Sequence, residues 1–222
     1  MELLNIRVAR AVWFLDIAEL NPRGKTIMPD LLEWLKENYH FGQAPSSITD
    51  LDKDTKALVF ERGQFQIKEE LFIDVGLKIY NDGFVAETQS STHDSDAFLK
   101  DALELAVKDF NLAYKPQMVR RKLYFSELYV WSEKQLIGIN PGLSNFAARI
   151  TELLPSKMEI SYEFAGFSFW PTKAMPHAVP GPFRFERKIG TLPEENKYYS
   201  AAPTHTDDHL RLLDDFEAAF MS

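Results

Sequence analysis

The chain contains no cysteine. That excludes disulfides, thiolate nucleophiles, iron–sulfur ligation and cysteine-based zinc sites in one step. No apolar run approaches the ~18 residues that a membrane span needs, and residues 1–7 lack the charged, apolar and small-residue order of a signal peptide. The expectation is a cytoplasmic protein with no membrane contact. Neither G-x-x-x-x-G-K-[ST] nor G-x-G-x-x-G occurs, so the usual phosphate cradles are missing. The G-x-S-x-G elbow of serine hydrolases is missing too. Glycine is sparse, at 10 of 222 residues. There is no Gly/Ser linker, no low-complexity tract and no repeat long enough for a solenoid.

What is present is an ordinary globular composition, 45% hydrophobic and 26% charged, long enough to bury a substantial core. Aromatic residues reach 13% and many alternate, as in Phe167 and Phe169 or Phe183 and Phe185. Alternation of that kind favours sheet over helical bundle. The net charge of -8 is concentrated: residues 94–110 contribute -3 and residues 206–222 contribute -4. Residues 115–122 instead hold Lys115, Arg120, Arg121 and Lys122 with no acid. An acidic protein is poorly suited to non-specific duplex binding, which depends on neutralising phosphates.

The order of elements predicts an α+β fold: a single domain spanning residues 1–222, with a mixed or mainly antiparallel sheet and about four helices packed on it. β-compatible runs in residues 5–20 end at the turn cluster Asn21-Pro22-Arg23-Gly24. Pro29 starts a helix that reaches Tyr39. Strands over 57–62 and 65–67 read as a hairpin about Gly63-Gln64, and strands over 73–80 and 84–88 as a second about Asn81-Asp82-Gly83, where Asp-Gly suits a type I′ turn. Helical spacing follows over 95–110, then strands over 122–131 and 135–139. A helix capped by Asn140, with Pro141 at its first position, places Leu143, Phe146, Ala147, Ile150 and Leu154 on one apolar face. Strands over 158–170 and 183–188 flank a proline-rich loop, and a last helix runs over 207–220.

One local pattern occurs twice. Thr92-His93 precedes Asp94-Ser95-Asp96, and Thr204-His205 precedes Thr206-Asp207-Asp208-His209. Two accounts fit. Ser95 and Thr206 can be helix caps followed by acids that favour the positive end of the helix dipole, by ~0.3–1 kcal/mol each. Alternatively His93, His205, Asp208 and His209 can hold a divalent metal or a proton, since His205 and His209 have the four-residue spacing of helical zinc motifs. The capping account is the simpler one: the general-base glutamate of H-E-x-x-H is missing and His205 precedes the helix. His209 begins the apolar stripe continued by Leu213, Phe216 and Phe220, which predicts that the sheet covers it.

Three other patterns carry lesser expectations. Glu186-Arg187-Lys188 is an E-x-K triplet on a strand, but Pro29-Asp30 lies far upstream in a helix, and an outward Glu and Lys alternating with inward Phe explains it. Arg120, Arg121 and Lys122 beside Tyr124 and Phe125 suit RNA or single-stranded DNA, where bases stack on aromatic rings. The loop over 171–182 holds four prolines in twelve residues. It is stiff before binding and offers Trp170, Met175, His177 and Val179 as contacts for a protein partner.

Missing catalytic motifs and the stiff loop together predict a non-enzymatic binding or assembly subunit that works with another protein chain and needs no cofactor. The alternatives are a metal-dependent hydrolase or nuclease built on the His/Asp cluster, and a subunit that binds RNA or single-stranded DNA.

Overall fold

The computed structural model describes residues 1–24, 28–136, 141–154, 161–172 and 181–219. Among them are eight strands and four α-helices, and the fold is α+β with antiparallel pairing. In chain order these are β1 (Glu2–Phe14), α1 (Met28–Asn38), β2 (Leu58–Lys68), β3 (Leu71–Tyr80), β4 (Gly83–Thr88), α2 (Thr92–Phe110), β5 (Arg121–Trp131), α3 (Pro141–Glu152), β6 (Gly166–Phe169), β7 (Phe183–Arg187), β8 (Lys197–Ala202) and α4 (Thr206–Ala219). No described helix is long and apolar enough to cross a membrane.

Two compact units result. The larger comprises Ile6–Ser126 and Thr204–Thr206; the smaller comprises Met1–Asn5, Glu127–Pro203 and Asp207–Ser222. In the larger unit the strands run β2-β3-β4-β1-β5, and in the smaller β5-β8-β7-β6. Each half of the chain therefore repeats one plan, β-α-β-β-β-α, with strand orders β2-β3-β4-β1 and β6-β7-β8-β5. The correspondence extends to single residues. Thr92 opens α2 four residues after the end of β4, as Thr206 opens α4 four residues after the end of β8.

The larger unit has a conventional core. Ala11 and Trp13 of β1, Phe60 of β2, Leu77 of β3 and Phe84 and Ala86 of β4 meet Leu32 and Leu35 of α1 and Phe98, Leu99 and Leu103 of α2. Phe98 is fully buried, with edge-to-face contacts to Tyr39 at 4.9 Å and Phe65 at 5.6 Å, an arrangement suited to the ring quadrupoles. The Tyr39 hydroxyl donates to Asp101 at 2.7 Å. Burial, then that carboxylate, raises its phenol well above the ordinary range. In the smaller unit Leu128, Val130, Phe185, Tyr198 and Leu213 are buried.

Several sequence expectations change. Residues 57–67 do not form a hairpin: β2 is continuous, with its register shifted between Phe60 and Gly63 and Arg62 at φ 58°. Such a bulge bends the strand. The two-residue connection lies further on, at Glu69-Glu70, with Lys68 paired to Leu71. The next loop is Asn81-Asp82, because Tyr80 pairs with Gly83. Neither loop residue has positive φ, so a type I′ turn is not formed. Instead the two loop carbonyls accept from the amides of Leu15 and Ile17. A Cβ on Gly83 would meet the Trp13 carbonyl oxygen at 2.1 Å, which accounts for the glycine.

α2 begins earlier than its spacing suggests. Ser91 is the cap, accepting from the Asp94 amide, while Ser95 is buried inside the helix and donates to the Ala9 carbonyl at 2.8 Å. β8 was not anticipated. Of the apolar face expected on α3, Leu143 and Phe146 are exposed and Ala147 alone is buried among its described side chains. Asn140, Ile137–139 of the expected return strand and the first residues of the strand expected over 158–170 lie outside the described residues.

Candidate functional site

The residues singled out by the twice-occurring pattern divide between the two units. In the larger unit the first turn of α2 meets the segment Thr204–Thr206. His93 and His205 stack with ring centroids 4.8 Å apart and planes 13° from parallel, and Tyr124 of β5 stacks on His205 at 3.6 Å. His205 Nδ1 lies 3.2 Å from the Thr92 hydroxyl. His93 is exposed and His205 half-buried. The Thr92 amide donates to the Thr206 hydroxyl at 3.1 Å, and the Thr206 amide donates to the Thr92 hydroxyl at 3.0 Å.

One turn along α2, Asp96 gathers the donors of β1 and β5. Its Oδ1 accepts from Trp13 Nε1 at 2.7 Å and from the Tyr124 hydroxyl at 2.9 Å, and Lys122 Nζ donates to its Oδ2 at 3.0 Å. The same ammonium lies 3.9 Å from the centre of the Trp13 ring, a cation–π distance. Burial, then the bond to Asp96, raises the Tyr124 phenol far above its ordinary value. The cluster is thus a hydrogen-bond network that fixes α2 to the sheet.

The basic triplet is engaged in the same way. Arg120 pairs with Glu19 at 3.1 Å, Arg121 lies over the Phe14 ring at 4.8 Å, and Lys122 is held by Asp96.

Asp208 and His209 belong to the smaller unit. Asp208 accepts from Arg211 within α4. His209 is fully buried, and its Nε2 lies 2.8 Å from the Ser200 hydroxyl of β8. Because that hydroxyl donates to the Arg184 carbonyl at 2.9 Å, the imidazole donates from Nε2 to Ser200, as a neutral ring with one N–H can. Burial lowers the His209 pKa to about 4. A serine and a histidine at this distance resemble an activated nucleophile, but both are sealed from solvent and serve to lock α4 onto β7 and β8. Among the described residues no group of three or more histidines and carboxylates is placed to hold a metal ion.

The smaller unit carries a different feature. Trp170, directly after β6, is 67% exposed with its indole N–H donating to Ser168 at 3.2 Å. Phe169 is exposed as well, and its ring lies 6.1 Å from Phe183 and 5.3 Å from Phe167, which in turn contacts Phe185 and Phe216. A row of aromatic rings thus runs from the buried Phe185 to the surface. Phe146 on α3, Leu153, Ile189 and Leu192 are also exposed, Ile189 at 92%. The other expected partner contacts, Met175, His177 and Val179, lie outside the described residues.

The exposed face of α3 and the strand β8 were missed by sequence reasoning. For β8 the only signal was the β-favouring pair Tyr198-Tyr199. Comparison with protein-family models and with curated proteins finds no match.

Proposed function

We propose that this protein is a cytoplasmic, non-enzymatic binding or assembly subunit of a larger protein complex. The observation that carries the reading is the contrast between α1 and α3, which occupy equivalent places in the two halves. α1 buries Leu31, Leu32 and Leu35, whereas α3 leaves Leu143 and Phe146 in water. Phe169, Trp170, Ile189 and Leu192 of the same unit are exposed as well. Exposed apolar surface of this kind marks interaction sites, and rigid aromatic side chains dominate the energetics of protein interfaces. The Asp96 carboxylate accepts from Trp13 and Tyr124, and Ser200 and His209 are both buried, which fits structural roles for these groups.

The test is isolation of the tagged chain from its source cells, as wild type and as the Phe169→Ser/Trp170→Ser variant. Both substituted side chains are exposed, and circular dichroism of the purified variant verifies that it is folded. The wild type is expected in a complex of fixed stoichiometry that the variant loses. A complex of the same composition in both would remove these residues from the interface.

A further inference from the structure

Gly76 stands in the middle of β3, where a glycine has no side chain to pack and weakens the strand. Its φ is not positive, and a Cβ placed on it would meet nothing nearer than the Phe60 carbonyl oxygen at 3.7 Å. Gly63 differs: there a Cβ would lie 2.4 Å from the Phe41 ring. The fold therefore requires glycine at 63 and not at 76. What the bare backbone of Gly76 does is floor an open groove of about 500 Å³ in the larger unit. Buried Val75 and Leu77 point to the helices, so position 76 faces the opposite side of the sheet.

The walls define the occupant. Val59, Lys78 and Val85 lie in register across β2, β3 and β4 along one side. Glu61, Asp74, Arg62 and Arg7 stand around the rest. Glu87, opposite Gly76, is held by Arg10 at 2.6 Å. An open groove would leave much of a small molecule in water, whereas small-ligand sites bury roughly 70–90% of their ligand. A chain lying across the strands fits better. The lining sets three cations, Arg7, Arg62 and Lys78, against three carboxylates, Glu61, Asp74 and Glu87, so it lacks the excess of cations on which binding of a phosphate backbone rests. The interspersed acids and bases are complementary to a polypeptide bearing both signs, and the two valines to apolar residues between them.

We infer that the groove over Gly76 is a docking site for an extended polypeptide segment carrying acidic and basic side chains alternating with apolar ones. It extends the proposed function to a second surface and is independent of the apolar residues of the smaller unit, so loss of one leaves the other intact.

The experiment is titration of the isotope-labelled full chain, followed through its backbone amide resonances. The probes are a synthetic decapeptide alternating Lys, Val, Glu and Val, its counterparts with only Lys or only Glu as the charged residue, and a deoxythymidine decamer. The mixed peptide is expected to shift Gly76, Lys78 and Val85 saturably, with a Kd at least about tenfold below the other probes. Gly76→Val fills the groove and weakens binding by about tenfold or more. Asp74→Lys, an exposed substitution, weakens the mixed peptide and strengthens the Glu-only one. Absence of shifts at these residues overturns the inference, as does preference for a single-sign peptide, binding of the oligonucleotide there, or indifference to the Gly76→Val and Asp74→Lys substitutions.

Discussion

Thr92 and Thr206 exchange hydrogen bonds, the amide of each donating to the hydroxyl of the other at 3.1 and 3.0 Å. Both residues are buried, and they hold the same place in the two halves of the chain, at the first position of α2 and of α4. Unsatisfied N–H groups at helix starts are costly when buried, so each threonine supplies the acceptor that the other helix lacks. Substitution by valine keeps the shape and removes the acceptor. Thr206→Val is expected to cost ~1–3 kcal/mol. Thr92→Val is expected to cost more, because its hydroxyl also contacts His205 Nδ1. Denaturant unfolding of the two variants measures the difference; equal and negligible losses would show that the exchange contributes nothing.

Asp96 is the acceptor shared by Trp13 and Tyr124. Asp96→Leu leaves a buried indole N–H without its partner and is expected to destabilise by ~1–3 kcal/mol. In Asp96→Asn the negative charge beside the phenol is gone, so the Tyr124 pKa comes down although burial still holds it above the ordinary value. Ultraviolet titration reads this directly. A Tyr124 unaffected by Asp96→Asn would mean that the hydrogen bond does not persist in solution.

His209 makes stability depend on pH. Its pKa is lowered by burial to about 4 in the folded chain, against 6.5 when unfolded. Between those values the unfolded state binds more protons, so stability rises with pH across that window and falls as pH drops through it. The contribution is complete above about pH 6.5 and has been lost by about pH 4, on the order of 3 kcal/mol in all. His209→Phe removes this slope. An identical slope from pH 6.5 to 4 in wild type and variant would assign it to other groups.

Gly63 and Gly76 should respond in opposite ways to alanine. Gly63→Ala drives a methyl into the Phe41 ring and is expected to cost ~1–3 kcal/mol, as overpacking does, with partial recovery on adding Phe41→Leu. Gly76→Ala has room and is expected to gain ~0.4–1 kcal/mol by restricting the unfolded chain. Thermal unfolding of the two single variants decides the matter.

The strongly periodic elements were legible in the sequence. α1, α2, β3 and β4 follow their apolar spacing because each buries residues in the core where helices pack on the sheet. Gly63-Gln64 misled because a glycine between two apolar runs has the signature of a turn, while its cause is the Phe41 ring, brought from a segment more than twenty residues earlier. β8 escaped notice because its buried residues include Ser200, Ala201 and Ala202, small side chains without clear alternation. They are buried because the strand lies between β5 and β7 and is capped by His209, facts of tertiary structure.

The repeated plan was visible only as a trace. Across residues 84–99 and 198–213, matched by their places in the two halves, only Thr92, Asp94 and Leu99 coincide with Thr206, Asp208 and Leu213. The more obvious Thr-His match pairs Thr92 with Thr204, two residues out of step. His93 and His205 are therefore not equivalent positions, yet the structure stacks them. His209, read as the start of an apolar stripe, is buried as that reading required, whereas the polar chain through Ser200 to Arg184 depends on strand register that no local pattern encodes.

The most direct test of the account is native mass spectrometry of the wild-type chain gently isolated from its source cells at its normal abundance, with metal content read on the same sample. The account predicts a heavier species of fixed stoichiometry containing a second protein. A lone chain carrying one equivalent of divalent metal would contradict it and turn attention to His93 and His205 as ligands.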